Sequence, residues 1–187
     1  MLAMVEINGC ILNLAVKKPP IAVKTVSYTH LDVYKRQMPD RLSKEKAELQ
    51  RIYRELIDAM LPYQDQESGM WYQVVNRGGI APNYLETSGS AIFAYAIMKS
   101  VRLGFLEESY FPYGKRAFDG ICEKYLSEKD GELQLDGICL VAGLGNREMR
   151  EGTFEYYMRE PIVKNEAKGV APLILAYIEI LFHGSQP

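Results

Sequence analysis

Histidine is nearly missing from this chain. There are two in 187 residues, His30 and His183, near opposite ends. A histidine-centred triad or metal site is therefore not expected. Cysteine is scarce as well. Cys10, Cys122 and Cys139 are odd in number and widely spaced, which fits no zinc pattern or disulfide framework and predicts buried thiols. Neither sign of charge prevails: the formal net charge is −2, so the basic footprint of a nucleic-acid binder is missing. No uninterrupted apolar run reaches the ~18 residues that span a bilayer, so no membrane partner is expected. In residues 1–17 lysine appears only after the apolar stretch, the reverse of a secretory leader. A cytoplasmic location is the expectation. What the chain does have is tyrosine, 13 of them. A flat apolar face with a hydroxyl suits sugar binding, but it also suits half-buried helix positions, and that covers most of them.

Hydropathy patterning predicts four helices. The first runs from about Ser43 to Leu61, with Leu49, Ile52, Tyr53, Leu56, Ile57 and Met60 at helical spacing and Pro62 as the stop. An extended piece over Met70–Val75 and a glycine-bearing loop follow. The second helix, Glu86–Leu103, is apolar or small nearly all round, which predicts burial on every side. The third, Glu107–Leu126, is amphipathic, with Phe118, Ile121, Cys122 and Tyr125 as its inner stripe. Residues 131–142 read as a hairpin turning at Asp136-Gly137. The fourth helix, about Gly169–Phe182, is apolar nearly throughout and is also predicted to be buried, with Pro172 in its first turn. Outer amphipathic helices alternating with inner apolar ones are the pattern of nested helical rings. A closed ring of hairpins needs well over ~200 residues at roughly 12 per helix plus loops. The predicted fold class is therefore all-α, a partial (α/α)6 barrel of helical hairpins with short β pieces in the loops. Exposed flanks on the inner helices would drive self-association.

The first 37 residues read differently. Val26-Ser27-Tyr28-Thr29-His30-Leu31-Asp32-Val33-Tyr34-Lys35-Arg36-Gln37 resembles the translation of two back-to-back transposon-end adapters. Residues 1–37 are accordingly expected to be a non-native leader that packs poorly and has no function, with residues 38–187 as a separate portion of the chain.

That portion carries motifs in a fixed order. They are Gly69-Met70-Trp71-Tyr72-Gln73-Val74, Asn83-Tyr84-Leu85-Glu86-Thr87-Ser88-Gly89-Ser90-Ala91, and Gly143-Leu144-Gly145. Arg150-Glu151-Gly152-Thr153-Phe154-Glu155-Tyr156-Tyr157, Glu160-Pro161-Ile162-Val163 and Asn165-Glu166-Ala167-Lys168-Gly169-Val170-Ala171-Pro172 complete the set. It resembles glycoside hydrolase family 105, the unsaturated rhamnogalacturonyl hydrolases, and more loosely the unsaturated glucuronyl hydrolases. The resemblance makes residues 38–187 the C-terminal portion of a glycosidase domain and implies an (α/α)6 barrel acting on pectin-derived oligosaccharides that end in an unsaturated uronic acid. An aspartic acid protonates the enol ether, water adds, and the hemiketal opens to release the next sugar, with no metal or organic cofactor. The family's proton-donating aspartate lies in a stretch that nothing before Met38 resembles. No catalytic residue is assigned to this chain, and a truncated, inactive fragment is expected. A non-catalytic carbohydrate-binding or structural fragment is the alternative. A sugar epimerase on the same fold is disfavoured by the lack of histidine.

Candidate substrate-binding residues carry two readings each. Trp71 could stack on a pyranose ring or plug the core. Gln73 and Asn83 could bond sugar hydroxyls or tie down loops. Tyr84 and Glu86 stand at a buried helix entrance, where Glu86 either satisfies the exposed N–H groups or edges the pocket. Tyr156, Asn165 and Lys168 precede or open the fourth helix. Lys168 could attract the substrate carboxylate or simply be solvated. A glycosidase carboxylate pair of Glu86 and Glu155 is disfavoured, because no spacing brings the two together.

Overall fold

The computed structural model describes the backbone of residues 2–7 and 10–15, and residues 43–143 and 151–185 in full. The adapter-like segment 26–37 and the Gly145 part of the glycine motif lie outside the described residues. Strands β1 (Leu2–Ile7) and β2 (Cys10–Ala15) pair antiparallel, with Ile7 opposite Cys10.

Helix α1 (Ser43–Met60) buries Tyr53, Ile57 and Met60, which share one face at i, i+4 and i+7. Ile52, expected in that stripe, is 42% exposed. Pro62 does end the α-helix, within a 3-10 turn over Leu61–Tyr63. Helix α2 (Thr87–Arg102) is buried almost throughout. The Tyr53 hydroxyl donates to the Ala96 carbonyl at 2.8 Å and accepts from the Ser100 hydroxyl at 2.9 Å. Those two bonds fix α1 on α2.

Helix α3 (Phe111–Tyr125) packs by the expected stripe of Phe118, Ile121, Cys122 and Tyr125 and by a glycine–alanine face that hydropathy did not show. Gly114, Ala117, Gly120 and Ile121 are buried, whereas Phe118, Cys122 and Tyr125 are only half-buried. Backbone contact is the reason. A Cβ on Gly120 would meet the Ser68 carbonyl oxygen at 1.8 Å, and one on Gly114 would meet Met98 Cγ at 2.7 Å. Glycine permits that approach because it has no side chain to displace.

The hairpin sits earlier than predicted. Strands β3 (Leu126–Lys129) and β4 (Glu132–Leu135) turn at Asp130-Gly131, both with positive φ of 55° and 80°, as a two-residue hairpin turn requires. Gly137 instead makes a corner, φ 73°, where a Cβ would strike Thr87 and Tyr125 at 2.6 Å. Beyond it β5 (Ile138–Cys139) pairs with β6 (Ile162–Val163), with the short helix α4 (Phe154–Tyr157) between them in sequence.

Helix α5 (Ala167–Gly184) lies beside α2. Gly169 lets the two approach: a Cβ there would stand 2.6 Å from Ile138 Cδ1 and 3.6 Å from Ser88 Cβ. Glu179, 3% exposed, accepts from Arg102 Nε at 2.5 Å and Nη2 at 2.9 Å, so a two-pronged ion pair clamps the far ends of the helices. Two expectations for this helix fail. Pro172 is inside the helix rather than in its first turn, and it removes the N–H that would bond the Lys168 carbonyl. The helix is also not buried throughout: Ile174, Tyr177, Ile178, Leu181 and Phe182 face outward.

Candidate functional site

The polar loops lead into α2 and α5, and each expected residue can be placed there. Trp71 is 2% exposed. Its indole N–H donates to the Met60 carbonyl at 2.9 Å and its ring lies 5.0 Å from that of Phe93. It is a core plug between α1 and α2, and it has no exposed face on which a sugar could stack. Asn83 ties its loop together, donating to the Val74 and Arg77 carbonyls at 2.9 Å and accepting from the Tyr84 N–H at 3.1 Å. Gln73 is buried: its backbone N–H donates to the Tyr84 carbonyl at 2.8 Å and its amide reaches Cys139 Sγ at 3.4 Å. Tyr84 is half-buried in the same sheet-like crossing, one residue before the Tyr72–Leu85 bridge.

Glu86 is the N-cap of α2 and is 3% exposed. Oε1 accepts from the Ser88 N–H, the Ser88 hydroxyl and the Cys139 N–H at 3.1, 2.8 and 3.0 Å, and Oε2 from the Gly89 N–H at 2.5 Å. This carboxylate satisfies the helix start and holds β5 against it. Both oxygens are engaged inside the protein, so Glu86 does not edge a pocket. Glu155 is exposed on α4, an environment unlike that of Glu86.

The entrance to α5 repeats the arrangement. Asn165 takes a positive φ of 56°, and its Oδ1 accepts from the Leu135 N–H at 2.8 Å while its own N–H donates to the Leu135 carbonyl at 2.9 Å. Glu166 caps the helix through the Ala167 N–H. Lys168 Nζ donates to the Leu140 carbonyl. Tyr156 packs on Tyr157, ring centroids 5.1 Å apart, and its hydroxyl accepts from the Gly143 N–H at 3.3 Å. Both inner-helix entrances are thus tied to one segment, Leu135 to Leu140. Thr87 adds to this, donating its N–H to the Gly137 carbonyl at 3.0 Å and its hydroxyl to the Asp136 carbonyl at 2.8 Å.

The structure adds residues that sequence reasoning did not assign to the loop face. Arg77 lies 5.7 Å above the Phe154 ring. Cys139, expected only to be a buried thiol, is buried under Gln73 and Glu86. The signal for Cys139 was its place between two apolar residues after a glycine corner, which marks a short buried strand but not what it packs beneath. Two described carboxyls are shifted in the direction that disfavours proton donation. The Lys164 ammonium, 3.0 Å away, and the Gly137 N–H hold the Asp136 carboxyl below its ordinary range. Burial pushes Asp65 upward, but the Ser68 N–H and hydroxyl outweigh it and leave it lowered. A general acid needs the opposite shift. Among the described residues no group of three or more His, Cys, Asp or Glu side chains is placed to hold a metal ion.

The model of Glycosyl Hydrolase Family 88 matches residues 26–183. The chain belongs to that family. Its solved relatives include a family 105 glycoside hydrolase of C. acetobutylicum ATCC 824, 41% identical with a TM-score of 0.77 over 83% of this chain and 43% of that one. A possible family 105 member from Salmonella enterica superposes with a TM-score of 0.64 at 26% identity, over 84% of this chain and 36% of that one. The resemblance to glycoside hydrolase family 105 and the helical-barrel fold class are therefore both established. Among curated proteins, the 24.9 kDa protein in the picA locus of Rhizobium radiobacter is 42% identical over 142 residues, 72% of this chain and 60% of that protein. A protein of Agrobacterium fabrum matches to the same extent. This family 88/105 chain spans about 60% of the length of these curated relatives. In a ring of helical hairpins, neighbouring inner helices lie side by side with their entrances at one end. The contact of α2 with α5, and their shared tie to Leu135–Leu140, matches that geometry.

Proposed function

We propose that this chain is the C-terminal part of a glycoside hydrolase for pectin-derived oligosaccharides that end in an unsaturated uronic acid, and that the whole enzyme works by hydrating the enol ether. The observation that carries the reading is the convergence of two inner-helix entrances, Glu86 and Lys168, on one segment. It gathers Asn83, Tyr84, Tyr156, Asn165 and Lys168 at one end of the helical layers. Lys168 uses one of its three N–H donors on the Leu140 carbonyl, so two more suit a uronate carboxylate. Arg77, exposed beside the Phe154 ring, offers a second positive charge. The tyrosines supply faces for sugar C–H groups. Gln73 and Trp71, both buried, position the loop from behind.

The proton donor of the reaction is not among these residues. Glu86 is occupied by four donors, and Asp65 and Asp136 are held ionised. On this reading the chain by itself does not turn over the substrate. The test incubates the purified chain with an unsaturated rhamnogalacturonan disaccharide and follows loss of the enol-ether ultraviolet absorbance. No turnover together with saturable binding by calorimetry is expected, and binding should weaken in Lys168→Met. Turnover would overturn the missing donor. Neither binding nor turnover would favour a purely structural fragment, in keeping with the internal use of Asn83 and Glu86.

A further inference from the structure

Most arginines of the described residues hold an oxygen of the protein. Arg51 pairs with Glu48 and Glu55, Arg54 with Glu107, and Arg102 with Glu179, while Arg116 donates to the Asp65 carbonyl at 3.0 Å. Arg77 is different. Its guanidinium lies 5.7 Å from the centroid of the Phe154 ring, and among the described residues it meets no carboxylate or carbonyl, although the exposed Glu155 directly follows Phe154. The backbone beneath it is fixed. The Arg77 N–H donates to the Val74 carbonyl at 3.0 Å, and the Arg77 carbonyl accepts from the Asn83 amide at 2.9 Å and the Ile80 N–H at 3.2 Å. On one side Val75 is 4% exposed. On the other Gly78 lies so close to the Tyr72 ring that a Cβ would stand 3.1 Å from Cδ2. An arginine held over an aromatic ring keeps its planar fork of N–H donors in one place, and a donor already in place costs less to bind than one that must be ordered.

We propose that Arg77 reads a second carboxylate on the substrate, so that the preferred ligand is an oligosaccharide with a further acidic sugar beyond the terminal unsaturated uronate. This inference rests on the function proposed above and narrows its substrate. Lys168 is anchored on the Leu140 carbonyl at the end of β5, whereas Arg77 is anchored on the Phe154 ring at the start of α4. The two cations share no partner, so they do not form one pocket around a single carboxylate, and each suits its own. The guanidinium fork matches the two oxygens of a carboxylate in a way that a sugar hydroxyl does not. Arg159, two residues beyond α4, supplies the contrast. It is also exposed and also without an oxygen partner among the described residues, but no ring or bond there holds its side chain.

The experiment is calorimetry of the full 187-residue chain with three sugars. They are the unsaturated rhamnogalacturonan disaccharide, which has one carboxylate, the tetrasaccharide of the same repeat, which has two, and that tetrasaccharide with its internal carboxyl reduced to an alcohol. The tetrasaccharide should bind roughly 5-fold tighter than its reduced form, the size of a partly exposed ion pair, and added salt should narrow the gap. Arg77→Met should abolish the gap and leave affinity for the disaccharide unchanged. Arg77→Lys should restore part of it, keeping the charge without the fork. Arg159→Met should keep the gap, and Lys168→Met should weaken all three sugars alike. Equal binding of the tetrasaccharide and its reduced form overturns the proposal. So does an Arg77→Met variant that weakens all three sugars equally, which would set Arg77 at the terminal uronate, or an Arg159→Met variant that closes the gap as fully, which would leave only diffuse attraction. If none of the sugars binds, the proposed function falls and this inference with it, so the two failures are told apart.

Discussion

Helices α2 and α5 are built from nearly the same residues and have opposite fates. α2 carries thirteen buried residues and α5 carries five. Both begin at a glutamate cap, both pass through glycine and alanine positions, and each packs on the other. The difference lies in what flanks them. α2 lies between α3 and α5 and beneath Tyr53 of α1 and the Trp71 plug that follows α1, whereas α5 meets α2 along one side and α3 through contacts such as the Tyr177–Phe118 ring pair. An apolar helix is therefore not evidence of a covered helix. It shows only that the sequence was suited to a position with neighbours on both flanks.

The comparison can be tested from its strongest point to its weakest. Glu86→Ala should cost the most, about 4 kcal/mol in denaturant unfolding. It leaves four donors without their acceptor and releases β5 from α2, and each buried donor left unmade is worth about 1–3 kcal/mol. The corresponding cap on α5 bonds only the exposed Ala167 N–H, so Glu166→Ala should cost below about 1 kcal/mol. A fall of similar size at both caps would contradict the contrast.

Cavity formation separates the helices next. Ile97 is fully buried in α2, so Ile97→Ala should destabilise by about 3 kcal/mol. Ile174→Ala on the outer stripe of α5, measured at concentrations where the chain is monomeric, should stay within ~0.5 kcal/mol. Equal losses would mean that the outer stripe of α5 is covered in solution by the chain itself.

The ion pair between the two helices is also asymmetric. Arg102 is about a quarter exposed while Glu179 is 3% exposed. Arg102→Leu strands the buried carboxylate and should cost roughly 2 kcal/mol, discounted from a fully buried pair for the partial exposure of the arginine. Glu179→Leu lets Arg102 turn toward water and should cost less. The reverse order in thermal melts would show that the burial of Glu179 does not govern the pair.

The smallest effect is an acid-side one at the loop segment shared by both helices. The Lys164 contact lowers the folded-state pKa of Asp136 below its ordinary 3.8. The stability it contributes is complete above that value and is lost as pH falls through the lowered one. Asp136 is 42% exposed, so the contribution is minor. Asp136→Asn should flatten the decline in stability below about pH 4 without altering stability at pH 7 by more than the lost contact. A variant that declines with acid as steeply as the parent would remove Asp136 from the account.

Much of the helical framework was legible because long periodic segments announce themselves. The bounds of α1 and α2 fall within two residues of the pattern, and the ordered motifs identified the family. The site was less legible. Trp71 and Asn83 each have chemistry that suits a sugar and equally suits the core or a loop, and only the positions of Met60 and Val74 show which bonds they make. The hairpin was misplaced because Asp130-Gly131 and Asp136-Gly137 carry the same turn signal. The first closes the hairpin, and the second is held against Thr87 and Tyr125 by packing that no local pattern contains.

The sequence by itself determined where the helices run, which stretches are apolar, and which family these residues match, because helix periodicity and short motifs are local properties. Only the tertiary structure decided that Glu86 serves the backbone, that glycines 114 and 120 let α3 approach its neighbours, and that one apolar stripe of α5 stays largely exposed among the described residues. Burial is a relation between segments far apart in the chain, and the free energy of a side chain depends on the neighbour it finds there.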